Sequence, residues 1–208
     1  MLRSFTNSSD VELLGAVIGG NEQIQIATSL IETFGGNLKG VYHASISELK
    51  AQYGLGQVGA NRIKAALFLA PHLYSPSEDD TYIVDSPDSV VRYIEREMSL
   101  FEQEHLYVLL LNTRNKIIGK VDLYTGTLNS SRVRIAEIFR PAIKANAAAI
   151  IVAHNHPSGN ASPSPDDLSL TRDIVTLGKM LEIELLDHLV IGGVGNYVSI
   201  KSQRRITF

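Results

Sequence analysis

The segment His154-Asn-His156-Pro-Ser-Gly-Asn-Ala-Ser-Pro-Ser164-Pro-Asp-Asp167 gathers two imidazoles, hydroxyls and carboxylates within one short stretch of chain. It follows the apolar run 147–153, which reads as a buried strand. Side chains two apart on extended backbone point the same way, so His154 and His156 share a face just beyond the strand end. Two imidazoles placed like this suit chelation of one ion, and Pro157 and Gly159 then turn the chain. Ser164-Pro165-Asp166-Asp167 opens a helix, with Ser164 as N-cap and Pro165 at the first helical position. Asp167 therefore sits on the first turn, where its carboxylate reaches back toward the histidines. Two neutral imidazoles and a carboxylate make three protein ligands. Zinc held this way keeps a fourth position for water, the pattern of a catalytic site, and lowers the pKa of that water to about 7. The same residues have a plainer reading. Ser164 and Asp167 are spaced as a capping box, an acid there meets the helix dipole favourably, and Pro and Gly serve any turn. Spacing alone leaves both readings open.

The elements that must position these residues form an alternating pattern. Residues 82–84 read as a short strand, and Ser86-Pro-Asp as a helix start. Strands are expected at 105–111 and 117–124, joined by the turn Asn112-Thr-Arg-Asn115, then a helix over 131–146 and a strand over 148–154. The helix 166–181 and strands near 183–191 and 197–200 complete an α/β (α+β) domain, a mixed sheet sandwiched by helices. Upstream, Asp10 is expected to cap a helix ending before Gly19-Gly20, and 22–34 forms a second helix stopped by Gly35-Gly36. Ser45 and Glu48 are spaced as a capping box for a third, and Gly54-Leu-Gly56 precedes a helix over 57–71. The expected division is a helical domain over 1–74, a linker at 75–80 and the α/β domain over 81–208.

Composition narrows the chemistry. Among the 208 residues there is no cysteine. Disulfides, thiolate metal sites and cysteine nucleophiles are thereby removed together, and a transition-metal site must use His and carboxylates. The net charge is −3, with five Lys/Arg against five Asp/Glu in 1–74 and fourteen against seventeen in 75–208. Neither half is basic, so any DNA contact would be local. Asp10 and Glu12 precede the early apolar stretch and Arg3 is the sole early positive charge, unlike a secretory signal. Apolar runs such as 147–153 are too short to span a bilayer. The expected setting is the cytoplasm, without membrane attachment.

His154-x-His156, ten intervening residues and then Asp167, with Ser164 three before the Asp, resembles the JAMM motif of JAB/MPN-domain metalloproteases. His-Asn-His-Pro-Ser-Gly followed by Pro163-Ser164 is similar to the RadC family of bacterial JAB-domain proteins. Supporting segments are Leu109-Leu-Leu-Asn112, Gly126-Thr-Leu-Asn-Ser130, Glu137-Ile-Phe and Asp187-His188-Leu-Val-Ile-Gly192. The resemblance spans about 80–200, and more loosely 9–72. It implies a JAB/MPN-like fold holding Zn2+ through His154, His156 and Asp167, and hydrolysis of an amide bond in a peptide or protein. It also implies Glu104 as general base, passing a proton from water to the leaving amine, and Ser164 as a stabiliser of the oxyanion. Glu102, two residues away on the same strand face, and Glu137, an acid in another matching segment, are the alternatives to Glu104. The family tends to have Pro-Arg-Glu where this chain has Ile135-Ala-Glu137, which leaves a supporting arginine to Arg134 or Arg140. Asp187 and His188 read as a hydrogen-bonded pair beside a strand rather than a second metal site.

Residues 49–66, with Gly54-Leu-Gly56 between two helices, look like a helix-hairpin-helix. Glycines there permit close backbone approach, and the amides opening the next helix can hold a phosphate, with Arg62 and Lys64 adding contacts. A local DNA contact through 54–64 is one expectation, and a protein-docking module the other. Two further functions compete with the hydrolase. A metal-dependent nuclease is suggested by the literal His-Asn-His string, although its compact spacing differs from the longer unit of HNH nucleases. A DNA-associated adaptor with a structural metal is the third. Zinc deaminases fit poorly, because the chain has neither His-x-Glu nor a cysteine pair.

Overall fold

A computed structural model describes residues 5–72, 82–126 and 133–208. The linker expected at 75–80, the Thr-Leu-Asn-Ser stretch after Gly126 and the first residues of the helix expected from 131 lie outside the described residues. The chain divides into two compact units, Met1–Ser75 and Pro76–Phe208.

The first unit comprises α1 (Asp10–Ile18), α2 (Gln23–Thr33), α3 (Leu38–His43), α4 (Ile46–Lys50) and α5 (Gly56–His72). Its start differs from the expectation by one residue. Ser9, not Asp10, caps α1: the Glu12 amide donates to Ser9 Oγ at 3.3 Å and the Ser9 amide donates to the Glu12 carboxylate at 2.8 Å. The Ser45–Glu48 box opens α4 as expected. It is preceded by α3, a helix too short for its periodicity to show in sequence, which Asn37 caps by accepting from the Gly40 amide. Leu14, Ala27, Leu30, Val41, Leu49 and Ile63 form the core of this unit.

The second unit comprises α6 (Pro87–Met98), β1 (His105–Leu111), β2 (Ile117–Thr125), α7 (Ile135–Lys144), β3 (Ala149–Asn155), α8 (Pro165–Leu181), β4 (Glu184–Gly193) and β5 (Asn196–Ser199). The five-stranded sheet runs β2-β1-β3-β4-β5. Only β3 and β4 pair in parallel; the other neighbours are antiparallel. The expected strand at 82–84 is reduced to one bridge, Ile83 to Lys116, held by the Val84 amide donating to the Asn115 carbonyl at 2.8 Å and the Ile117 amide donating to the Tyr82 carbonyl at 2.9 Å.

Alternation along β1 and β3 builds two cores. Leu106, Val108, Leu110, Ile150 and Val152 meet Ile138 and Phe139 of α7 and Leu170 and Ile174 of α8. Tyr107, Leu109, Leu111, Ile151 and Ala153 meet Val90, Val91, Ile94 and Met98 of α6. Burying each such side chain contributes about 1.5–3 kcal/mol, and the sheet is thereby fixed between α6 on one side and α7 and α8 on the other. The register of β4 slips once. Ile150 pairs with Leu185 but Ile151 pairs with Asp187, so Leu186 is an extra residue in a bulge. A one-residue slip inverts the facing of everything beyond it. Leu185 therefore packs in the α7/α8 core, whereas Leu189 and Ile191 pack on the α6 side. His188 is left on the α8 side.

Candidate metal centre

β3 delivers His154 at its end, on the face toward α8, and the chain leaves the sheet one residue later. The His156 amide donates to the Ile191 carbonyl at 2.8 Å, which holds the first loop residue against β4. The turn closes with Gly159 in the left-handed region, φ 82°. Its carbonyl accepts from the Asn196 side chain at 2.7 Å. Gly192 allows this loop to lie close, since a Cβ there would stand 2.6 Å from the Gly159 carbonyl oxygen. The chain then reaches α8, where Ser164 and Asp167 form a reciprocal capping box.

Three donor groups meet where these elements end. His154 Nε2 and His156 Nε2 lie 3.0 Å apart. Asp167 Oδ1 is 3.2 Å from His154 Nε2, and Oδ2 is 3.6 Å from His156 Nε2. Among the described residues this is the group of histidine and acidic side chains able to hold a metal ion, its donor atoms all within 4.8 Å of one another. His154 and Asp167 are buried and His156 partly so. The capping reading and the ligand reading of Asp167 hold together in geometry. Asp167 Oδ2 accepts from the Ser164 amide and from Ser164 Oγ, each at 2.7 Å, while Oδ1 turns to His154.

The electrostatics favour a cation here. Burial pushes the Asp167 carboxyl up, but hydrogen bonds from His154 and His156, the charge of His154 and the Ser164 hydroxyl together hold it well below the usual carboxylate range. His156 is raised by its hydrogen bond to Asp167 against the opposing effect of burial, with smaller help from the Asn160 carbonyl and the charges of Asp167 and Glu104. An ionised carboxylate facing two imidazole nitrogens binds a proton or a metal ion in the same place. Two nitrogens and one oxygen are a donor set that zinc accepts.

Each histidine is held from behind. His156 Nδ1 lies 2.7 Å from the Asn160 carbonyl oxygen, so Nδ1 keeps its hydrogen, and Nε2 offers a lone pair once it has lost the proton that it shares with Asp167. His154 Nδ1 lies 2.9 Å from His188 Nε2, and His188 Nδ1 lies 2.7 Å from Thr171 Oγ1. Burial holds the His188 ring down at a pKa of about 3. Asp187 points the other way. Its carboxylate accepts from Ser199 Oγ at 2.6 Å and from the His188 and Lys201 amides, so Asp187 and His188 are satisfied separately rather than through their side chains.

A model of the RadC-like JAB domain matches residues 84–205, more than half of the chain. The chain belongs to the RadC-like JAB-domain family. It is similar to a UPF0758 protein of Chloroflexus aggregans (strain MD-66 / DSM 9485), with 42% identity over 94% of this chain and 86% of that protein. A UPF0758 protein of Roseiflexus castenholzii is 39% identical over 94% of this chain and 84% of its own length. One of Bacillus pumilus is 39% identical over 86% and 80%. The family match covers the sheet and the whole candidate metal centre.

Glu104 lies just before β1. Leu106 pairs with His154, so extending that antiparallel register sets Glu104 across from His156, whose ring feels its charge. Its backbone is clamped on both sides by the middle residue of His-Asn-His: Asn155 Oδ1 accepts from the His105 amide at 2.7 Å, and Asn155 Nδ2 donates to the Gln103 carbonyl at 3.0 Å. Glu137, on α7, is engaged with Tyr124 OH and with Arg134 at 3.6 Å, so Arg134 is the arginine that meets that acid. In the first unit, Lys64 bonds the Tyr42 carbonyl and lies over the Tyr42 and Phe68 rings. Sequence reasoning missed Asn155, Asn160, Thr171 and the inward turn of His188. A signal existed for Thr171, four residues after Asp167 and so on the same helix face.

Proposed function

We propose that this protein is a zinc-dependent hydrolase of amide bonds, of the metallopeptidase or isopeptidase type, working in the cytoplasm. The observation that carries the reading is the convergence of His154, His156 and Asp167 where β3 and α8 meet, with Glu104 just before β1, whose register pairs Leu106 with His154. When bound, zinc supplies Lewis acidity, which polarises a carbonyl and acidifies water to about neutral pH. The residues supply the rest. Asp167, held ionised by its partners, keeps the centre attractive to a cation. Glu104 takes the proton from the attacking water and returns it to the leaving amine. Ser164 Oγ donates to Asp167 Oδ2 at rest, and rotation about its Cβ–Oγ bond redirects that hydrogen to the developing oxyanion while Oγ keeps its place in the cap.

The nuclease reading is weakened by Asn155. Its amide is occupied by the Gln103 and His105 backbone, which makes the literal His-Asn-His string a strand-pairing device beside two ligands. The engagement of Lys64 by Tyr42 and Phe68 likewise leaves the 54–64 segment with less to offer a phosphate than its sequence suggests.

The test pairs metal analysis with an activity screen on peptide and isopeptide libraries. Wild type and Glu104→Gln are expected to retain stoichiometric zinc, with cleavage by wild type only. His156→Ala is expected to lose the metal. Full zinc retention by His156→Ala sinks the ligand assignment, and unchanged cleavage by Glu104→Gln sinks the base.

A further inference from the structure

We infer that His188 and Thr171 are positioning residues of the metal centre: a one-directional hydrogen-bond relay runs from His154 through His188 and Thr171 to the Asp167 carbonyl and fixes which nitrogen of His154 faces the ion. The inference rests on the metal reading above and concerns residues outside the ligand set.

Hydrogen counting gives the relay its direction from both ends. The Asp167 backbone oxygen can only accept, and Thr171 Oγ1 lies 2.6 Å from it, so the single hydroxyl hydrogen goes there. The oxygen lone pairs are then what Thr171 presents to His188 Nδ1 at 2.7 Å, and Nδ1 must carry the hydrogen. From the other end, His154 uses the Nε2 lone pair toward the ion, so its hydrogen sits on Nδ1. That hydrogen needs an acceptor, and the atom facing it at 2.9 Å is His188 Nε2. Both arguments assign His188 one hydrogen, on Nδ1, with a lone pair on Nε2. The two ends close on one another, because the carbonyl that terminates the relay belongs to Asp167, itself a ligand residue.

The surroundings make the relay necessary. His154, Thr171 and His188 are 1% exposed or less, so water cannot take the place of a missing partner. His156 is different, since the Asn160 carbonyl alone fixes its ring. His154 has a side chain where His156 has a backbone carbonyl, and a side chain can be removed by substitution. Outer partners of this kind commonly govern about 10–100-fold in metal affinity.

The test measures zinc affinity of the full chain by competition with a chelator, together with the ring-nitrogen NMR spectrum of the histidines. Thr171→Val and His188→Phe, which keep shape and remove the relay, are expected to weaken zinc binding by about 10–100-fold. Thr171→Ser and His188→Gln, which restore a hydroxyl and an acceptor amide, are expected to recover most of it. The wild-type spectrum is expected to show Nδ1–H on both His154 and His188, a readout that does not depend on any variant folding. Wild-type affinity in both folded relay-breaking variants, or a hydrogen on His188 Nε2 in wild type, overturns the relay while leaving the metal site standing. Absence of zinc binding by wild type overturns the metal reading and the relay with it.

Discussion

Asp167 shows how one side chain can satisfy two arguments that compete in sequence. Its two oxygens divide the work, Oδ2 closing the helix cap and Oδ1 facing His154. Asn155 is the converse case: it lies between two ligands and yet turns away from them to bind the backbone on either side of Glu104. His154, His156 and Asp167 were legible as a candidate metal-binding group through the family motif they resemble, and the fold brings them together, but nothing in the string His-Asn-His reveals that its middle member clamps another strand. Replacing Asn155 by Ala removes the partner of the part-buried His105 amide and Gln103 carbonyl, which should cost about 1 kcal/mol. The expected outcome is a lower melting temperature and slower turnover with near-normal zinc affinity. A loss of zinc as large as in His156→Ala, measured by metal analysis, would show that Asn155 supports the ligands instead.

At the scale of elements, the strands and helices of the second unit were readable from alternation and caps, including the Ser164-Pro165 start of α8. What sequence could not supply was the phase of β4. Alternation alone sets Asp187 and His188 on opposite faces, but it has no way to reveal that Leu186 is absorbed in a bulge and that His188, not Asp187, is therefore the one on the α8 side. The short α3 escaped for a related reason, since six residues give little periodicity to read. The start of α8 carries its own prediction. Ser164→Ala removes the N-cap acceptor and one of the hydrogens on Asp167 Oδ2, so it should destabilise the fold by about 1 kcal/mol. It should weaken zinc binding as well, because Asp167 loses a partner that orients it. Chemical denaturation and a chelator titration of the same variant check both; unchanged stability would contradict the cap.

For the molecule as a whole, pH and metal pull on the same ring. In the metal-free protein the raised pKa of His156 contributes stability that is complete below 6.5 and is lost as pH rises through the elevated folded value. His188, held neutral, acts oppositely and only below 6.5, where the unfolded chain gains a proton. Above 6.5 the melting temperature of metal-free protein should therefore fall as His156 deprotonates. The added stability conferred by zinc should grow over the same interval, since the ion no longer competes with that proton. Thermal melts with and without zinc across this range test both slopes, and a zinc increment that shrinks as pH rises would contradict ligation by His156. The bulge in β4 has a last consequence in the arithmetic of charge. Strict alternation from Leu185 would have carried Asp187 to the α8 side, placing a second carboxylate behind His154. With His188 there instead, a divalent ion bound by one carboxylate would keep a net positive charge, so a single extra residue in a strand sets the charge that such a centre would present to an incoming electron-rich group.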